Sequence, residues 1–340
     1  MHKSSAEVLL GCGIDVSAAQ LVVALEGEGE EWLQRSFPNR PGGHQALIRW
    51  LQKTGVRVRV CLEATGRYSL DLALALHAAS GIETAVLNPK RVHRFAATLC
   101  RSKTDPADAQ VLAEYACRMP FQRWHPPCTA ALQLRTLTRH IAALTRQHTQ
   151  ESNRLHALSA SATSSAWVRQ DLKRSLRDLE HRIEKMRDAA QTFIEQDAEL
   201  RPRFALLLSM PGVGATSALH LLGELALLAP GLSVRQWVAH SGLDPAHHDS
   251  GSSVHKPSRI SRAGNRYLRR ALYMPALVAV RHDPHLRAFY QNLLARHKAK
   301  LQALMAVARK MLHAIFGMFR SQSEYDGSRL FPALELAPAA

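Results

Sequence analysis

Four carboxylates lie in three short segments: Asp15 in Gly13-Ile14-Asp15-Val16, Glu63 in Cys61-Leu62-Glu63-Ala64-Thr65-Gly66, and Asp105 with Asp108 in Lys103-Thr104-Asp105-Pro106-Ala107-Asp108-Ala109. The first two close apolar runs that read as strands. The last two are three apart at the start of a helical pattern, so they share one helix face. Magnesium prefers oxygen donors in near-octahedral geometry and keeps several waters. Two such ions about 4 Å apart can hold the attacking and leaving oxygens of a phosphoryl displacement. The layout therefore suits a divalent-metal site that cuts nucleic-acid phosphodiesters. Each residue also has a plainer role open to it. Asp15 can cap a strand turn, Glu63 can be an edge-strand acid, and Asp105 with Asp108 can cap a helix around Pro106. Lys90, Arg91, Arg94, Arg101 and Lys103, just upstream of the helical pair, are suited to holding phosphate.

A second chemical segment runs Ser241-Gly242-Leu243-Asp244-Pro245-Ala246-His247-His248-Asp249-Ser250-Gly251-Ser252-Ser253. It leads into a dense basic series with Lys256, Arg259, Arg262, Asn265, Arg266, Arg269 and Arg270. A serine in a Gly-flanked polar loop can attack phosphorus while guanidinium groups stabilise the charge on the non-bridging oxygens. The same segment also reads as a polar loop before a basic DNA-binding helix. Met210-Pro211-Gly212-Val213-Gly214 lies between two helical runs. Gly212 and Gly214 there present backbone amides at a helix N-terminus, where a phosphate can sit. The turn resembles a helix-hairpin-helix, and a plain helix–helix turn has the same signature.

The elements that must position these groups follow from length and patterning. The 340 residues suffice for two or three domains. A net charge of +16 points to a polyanionic partner, nucleic acid before membrane. Residues 251–320 hold fourteen Lys or Arg against one acid, Asp283, which predicts salt-dependent binding. Five cysteines without a CxxC spacing argue against a disulfide framework or zinc site and for reduced thiols. The longest apolar stretch, Ala271 to Val280, is too short for a membrane span and contains Pro275.

Residues 8–125 alternate strand and helix signals, with strands expected at Val8–Ile14, Leu21–Leu25, Trp32–Phe37, Val56–Leu62 and Thr84–Leu87. Helices are expected from Pro41 to near Thr54 and over Leu70–Ala79. This is an α/β pattern with a mixed sheet. A central-strand Asp, a second-strand Glu and two helical Asp on such a sheet is the arrangement of the ribonuclease-H-like fold. Residues 129–200 carry two runs of apolar 3-4 spacing around a small-residue stretch, an expected coiled-coil hairpin or helical linker and a candidate oligomerisation arm. Residues 201–320 read as mostly helical with a loop-rich middle, and residues 321–340 as a fraying tail.

Taken in order, these motifs resemble the DEDD-type transposases of the insertion sequence 110 family, described as bridge-RNA-guided serine recombinases. The match spans roughly residues 10–320. It rests on the three carboxylate segments, Asn88-Pro89, Pro211-Gly212-Val213-Gly214, Gly242-Leu243-Asp244-Pro245, Ser250-Gly251 and Arg259 to Arg270. The resemblance implies a RuvC-type metal domain, a helical hairpin and a mostly α C-terminal transposase domain. It implies Asp15, Glu63, Asp105 and Asp108 as ligands of two Mg2+ ions and Ser250 as the nucleophile that joins to DNA, with Ser252 and Ser253 as alternatives. It implies donor and target DNA and a structured guide RNA as partners. It further implies a dimer or tetramer in which the serine meets a neighbouring protomer's carboxylates, in the prokaryotic cytoplasm near the nucleoid. Ala18 stands where the family often has Lys, and Pro106 interrupts the usual Asp-x-x-Asp; neither removes a carboxylate. Two rivals remain: a junction-resolving metal nuclease without a covalent intermediate, and a non-catalytic basic nucleic-acid binder.

Overall fold

A computed structural model describes residues 9–27, 31–64, 66, 68–99, 104–161, 163–250 and 254–330, without the side chains of 247–250 and 254–258. The chain divides into two compact units, Met1–Pro126 and Pro127–Ala340.

The first unit carries a five-stranded sheet of order β3-β2-β1-β4-β5. Strands β1 (Leu9–Val16), β2 (Gln20–Glu26) and β3 (Trp32–Pro38) form an antiparallel meander. Strands β4 (Arg57–Glu63) and β5 (Ile82–Leu87) lie parallel to β1 and to each other. Helices α1 (Pro41–Gln52) and α2 (Leu70–Ala78) cover one face, where Leu47, Leu51, Leu72 and Leu76 pack on Ile14, Val60 and Leu62. Helices α3 (Pro89–Leu99) and α4 (Asp105–Arg118) cover the other, where Val92, Leu112 and Tyr115 pack on Cys61, Ala85 and Leu87. This mixed sheet between two helical layers is the ribonuclease-H-like fold of the RuvC type. β4 shows how local sequence builds it. Val58, Val60 and Leu62 point to the α1/α2 core, while Arg57 and Arg59 on the opposite face reach Glu83 at 2.6 and 3.3 Å. The period of two sorts the side chains between the faces.

The second unit is mostly helical. Helices α5 (Thr129–Ser159) and α6 (Ala166–Gln196) fold back on each other across a short turn, each 31 residues and so about 46 Å long. After them come α7 (Leu200–Ser209), α8 (Ala215–Leu225) and α9 (Val234–Ser241), then strands β6 (Pro245–Ser250) and β7 (Val254–Ile260). Helices α10 (Arg266–His282), α11 (Pro284–Ala295), α12 (Lys300–Ser321) and α13 (Gly327–Leu330) complete it. Ile141, Leu179, Ile183 and Ile194 of the hairpin share one apolar core with Leu207, Leu222, Leu272, Met311 and Ile315. The arm is thus rooted in the C-terminal helices, and no separate core divides it from them near residue 200.

The segment expected as a polar loop is instead an antiparallel hairpin, with Pro245 opposite Ile260 and Ser250 opposite Val254. A bulge between Ala246 and His248 falls opposite Pro257, whose missing N–H cannot join a regular ladder. The polar, His-rich sequence lacks the apolar alternation that would announce a strand.

Candidate metal centre and nucleic-acid surfaces

Register places Asp15 and Glu63 side by side. Ile14 pairs with Leu62 in the parallel β1–β4 ladder, so the next residues, Asp15 and Glu63, stand together at the strand ends. Both belong to the α4 face, because Gly13 and its partner Cys61 lie two residues earlier on that face. Asp15 and Glu63 are both half-buried.

Two glycines set the direction of α4. A Cβ on Gly11 would meet Cys117 Sγ at 2.1 Å, and one on Gly13 would meet Ala109 O at 2.0 Å. Helix α4 therefore lies directly on β1 and runs against it, so that only glycine admits the approach. Continuing that alignment brings the helix start, with Asp105 and Asp108, over the strand end that carries Asp15. Asp105 precedes Ala109 by one turn and Asp108 precedes Leu112 by one turn, and both of those later residues are buried against the sheet. Asp105 is exposed and Asp108 half-buried. The N-cap is Thr104, whose hydroxyl accepts from Ala107 N at 3.4 Å, so neither aspartate is needed as the cap.

The loops behind the two strands are tied together. Asn39 Nδ2 donates to Ser17 O at 2.7 Å and to Tyr68 O at 3.1 Å, and so joins the turn after Asp15 to the loop after Glu63. Lys90 and Arg91 start α3 at this same end of the sheet, since Leu87 pairs with Glu63. Both are exposed, and the Arg91 guanidinium stands 5.4 Å over the Tyr115 ring. Lys103 and Arg101 lie outside the described residues.

As placed, no three His, Cys, Asp or Glu side chains among the described residues stand close enough to hold an ion. The donor set nonetheless fits magnesium in kind, being four carboxylates on one face at one end of the sheet. The nearby thiol is inert: burial, then Cys117, push Cys61 up to about 12, so it stays neutral beside the carboxylates.

In the second unit Ser250 ends β6, next to the hairpin tip. The side chains of Ser250 and Lys256, and all of Gly251, Ser252 and Ser253, lie outside the described residues. Arg259, Arg262, Arg266 and Arg270 are exposed. Asn265 and Arg269 are committed internally. Asn265 caps α10, accepting from Tyr267 N at 2.9 Å and Leu268 N at 3.2 Å, and donates to Glu224 at 2.6 Å. Arg269 donates to Ser241 O at 2.7 Å. Gly212 has φ +87° and a Cβ there would meet Pro275 O at 2.6 Å, so this glycine serves close packing on α10. Gly214 begins α8 with open space around it.

Two networks have no sequence-local signal. Arg139 donates to both oxygens of buried Glu224, at 2.8 and 3.0 Å, across 85 positions, and stacks 4.5 Å over Tyr267. Asn39, which bonds Ser17 and Tyr68, 22 and 29 positions away, is held in turn by His44, whose Nε2 lies 2.8 Å from Asn39 Oδ1. Among the described residues, no helix is long and apolar enough to cross a membrane.

A family model for DEDD-type transposases, described as "Transposase", matches residues 12–160, and one described as "Transposase IS116/IS110/IS902 family" matches residues 204–291. The chain is similar to a pilin gene-inverting protein of Moraxella bovis, 29% identical over 87% of this chain and 91% of that one. It is similar to the insertion element IS116 uncharacterized 44.8 kDa protein of Streptomyces clavuligerus, 25% identical over 91% of this chain and 94% of that one. Among solved structures, Thermus thermophilus RuvC aligns at 17% identity and a TM-score of 0.24, over 31% of this chain and 90% of that one.

Proposed function

The chain belongs to the IS116/IS110/IS902 family of transposases, and from that premise we propose how this DNA transposase and recombinase works. Asp15, Glu63, Asp105 and Asp108 hold two Mg2+ ions, and Ser250 is the nucleophile. The observation that carries the metal assignment is the pairing of Asp15 with Glu63 at the strand ends, under the start of α4. Bound magnesium supplies positive charge that polarises the phosphate and stabilises the leaving oxygen.

The chain's own residues do the rest. Ser250 Oγ attacks a DNA phosphorus, its P–O bond forms as the bond to a deoxyribose oxygen breaks, and the serine's proton ends on that leaving oxygen as a hydroxyl. Exposed Arg259, Arg262, Arg266 and Arg270, with Lys256, neutralise phosphates around the hairpin. Lys90 and Arg91 do the same beside the carboxylates, and Lys103, two residues before Asp105 in the sequence, joins them in this role. An element-encoded structured RNA chooses the donor and target DNA. The protein acts as an oligomer in which a serine hairpin serves a neighbour's carboxylates. The gene-inverting relative, similar over 87% of this chain, supports strand rejoining over simple cutting.

The test is a recombination assay on donor and target DNA with the guide RNA, scored also for protein–DNA adducts that survive denaturation. Wild type should give both products and adducts. Ser250→Ala should lose both while still binding nucleic acid. Recombination by Ser250→Ala at the wild-type rate rules out this serine. Cleavage without any adduct would favour a junction-resolving nuclease.

A further inference from the structure

A second site emerges between the helical hairpin and the C-terminal helices. A cavity of about 190 Å3 there is lined by Arg187 of α6, Thr216, Ser217 and His220 of α8, and Tyr267 and Arg270 of α10. Arg187 and Arg270 are both exposed. Neither makes an ion pair among the described residues. The only acid in the lining, Glu224, is already held by Arg139 and Asn265. The guanidinium forks of Arg187 and Arg270 and the hydroxyls of Thr216 and Ser217, lining one small space, match an anion with several oxygens, because each fork can donate in parallel and the hydroxyls rotate to suit.

We propose that this cavity is a phosphate-binding pocket that grips one backbone phosphate of a nucleic-acid strand and so anchors that strand between α6, α8 and α10. The charge around His220 agrees. Burial first, then Arg187 and Arg270, hold its imidazole below the ordinary value, so both cations bear on the same space. The proposal rests on the recombinase reading for the identity of the strand. It joins Arg270, already counted among the phosphate-neutralising residues near the hairpin, to Arg187, which lies 63 positions before Ser250.

The experiment is salt-dependent binding of full-length protein to a random-sequence DNA duplex and, separately, to a hairpin RNA. Arg187→Ala and Arg270→Ala should each weaken binding about tenfold and make the salt dependence shallower by about 0.9 of a log–log unit on the DNA duplex. The double variant should lose no more slope than either single one, because both side chains hold one phosphate. Thr216→Val, which keeps both charges, should weaken binding less and leave the slope unchanged. Arg174→Ala, an exposed cation earlier on α6, serves as the control. A loss on one nucleic acid alone assigns the strand, and a loss on both assigns phosphate common to both. Affinities and slopes equal to those of Arg174→Ala overturn the pocket. That failure would leave the recombination assay of wild type unaffected, whereas failure of the recombinase reading would show as no recombination by wild type.

Discussion

His44 Nε2 sits 2.8 Å from Asn39 Oδ1, and the amide it meets is already spending its two protons on Ser17 O and Tyr68 O. The amide orientation is therefore fixed by its donors, and the imidazole nitrogen must be the proton giver. Through this pair, α1 braces the two loops that follow the carboxylate-bearing strands. Asn39→Ala should lower strand cleavage without changing nucleic-acid affinity, and should cost about 1–3 kcal/mol of stability. Cleavage at the wild-type rate would reduce Asn39 to a loop contact.

Asp15→Asn and Glu63→Gln should each cut cleavage about a thousandfold, since charge stabilisation by a bound cation is worth several kcal/mol. Magnesium dependence should go with it, while duplex binding stays. Titrating Mg2+ against cleavage rate for each variant checks both. A variant that cleaves normally and still responds to Mg2+ would return that residue to a turn or edge role.

Gly13→Ala puts a methyl 2.0 Å from Ala109 O. Helix α4 must then lift from β1, which should cost about 1–3 kcal/mol and spread the carboxylates. Urea unfolding and the Mg2+ midpoint for cleavage should shift together. An unchanged Mg2+ midpoint in a destabilised protein would separate the helix seat from the metal site.

Arg139→Ala leaves buried Glu224 with Asn265 as its hydrogen-bond partner. Breaking such a pair costs about 3–5 kcal/mol when fully buried, and the lower end applies because Arg139 is 39% exposed. Arg139→Ala with Glu224→Gln should recover much of the loss. Equal stability of single and double variants by chemical denaturation would contradict this.

His44, His220, His240 and His313 are all held below the ordinary 6.5, in each case first by burial. Around His240, Arg139 adds to the depression and Glu224 opposes it. Below pH 6.5 the unfolded chain takes up protons that the folded chain refuses. Stability present above that value therefore falls as pH drops, until the folded imidazoles also protonate. Each unit separating folded from unfolded values is worth about 1.4 kcal/mol. Unfolding midpoints measured from pH 8 down to 5 should decline, and His240→Gln should flatten part of the decline. A level profile in wild type would remove the buried imidazoles as the cause.

The first unit was largely legible from residue order. Alternation in β4, the apolar closure at Asp15 and Glu63, and the Gly and Pro breaks are local signals that the fold follows within a residue or two. The paired long helices were legible for the same reason, since their 3-4 spacing is local too. The Ser250 hairpin was not, because its ladder is decided by partners across a turn and not by apolar period. In the sequence Asn265 and Arg269 belong to the basic series, yet they bond to Glu224 and Ser241, residues 41 and 28 positions away. Sequence alone determined which chemical groups exist and which helix or strand carries each. Tertiary structure decided which of them face one another, because register, a glycine that lets a helix touch a strand, and the closing of long loops bring distant side chains together, and none of these is written in any local stretch of the chain.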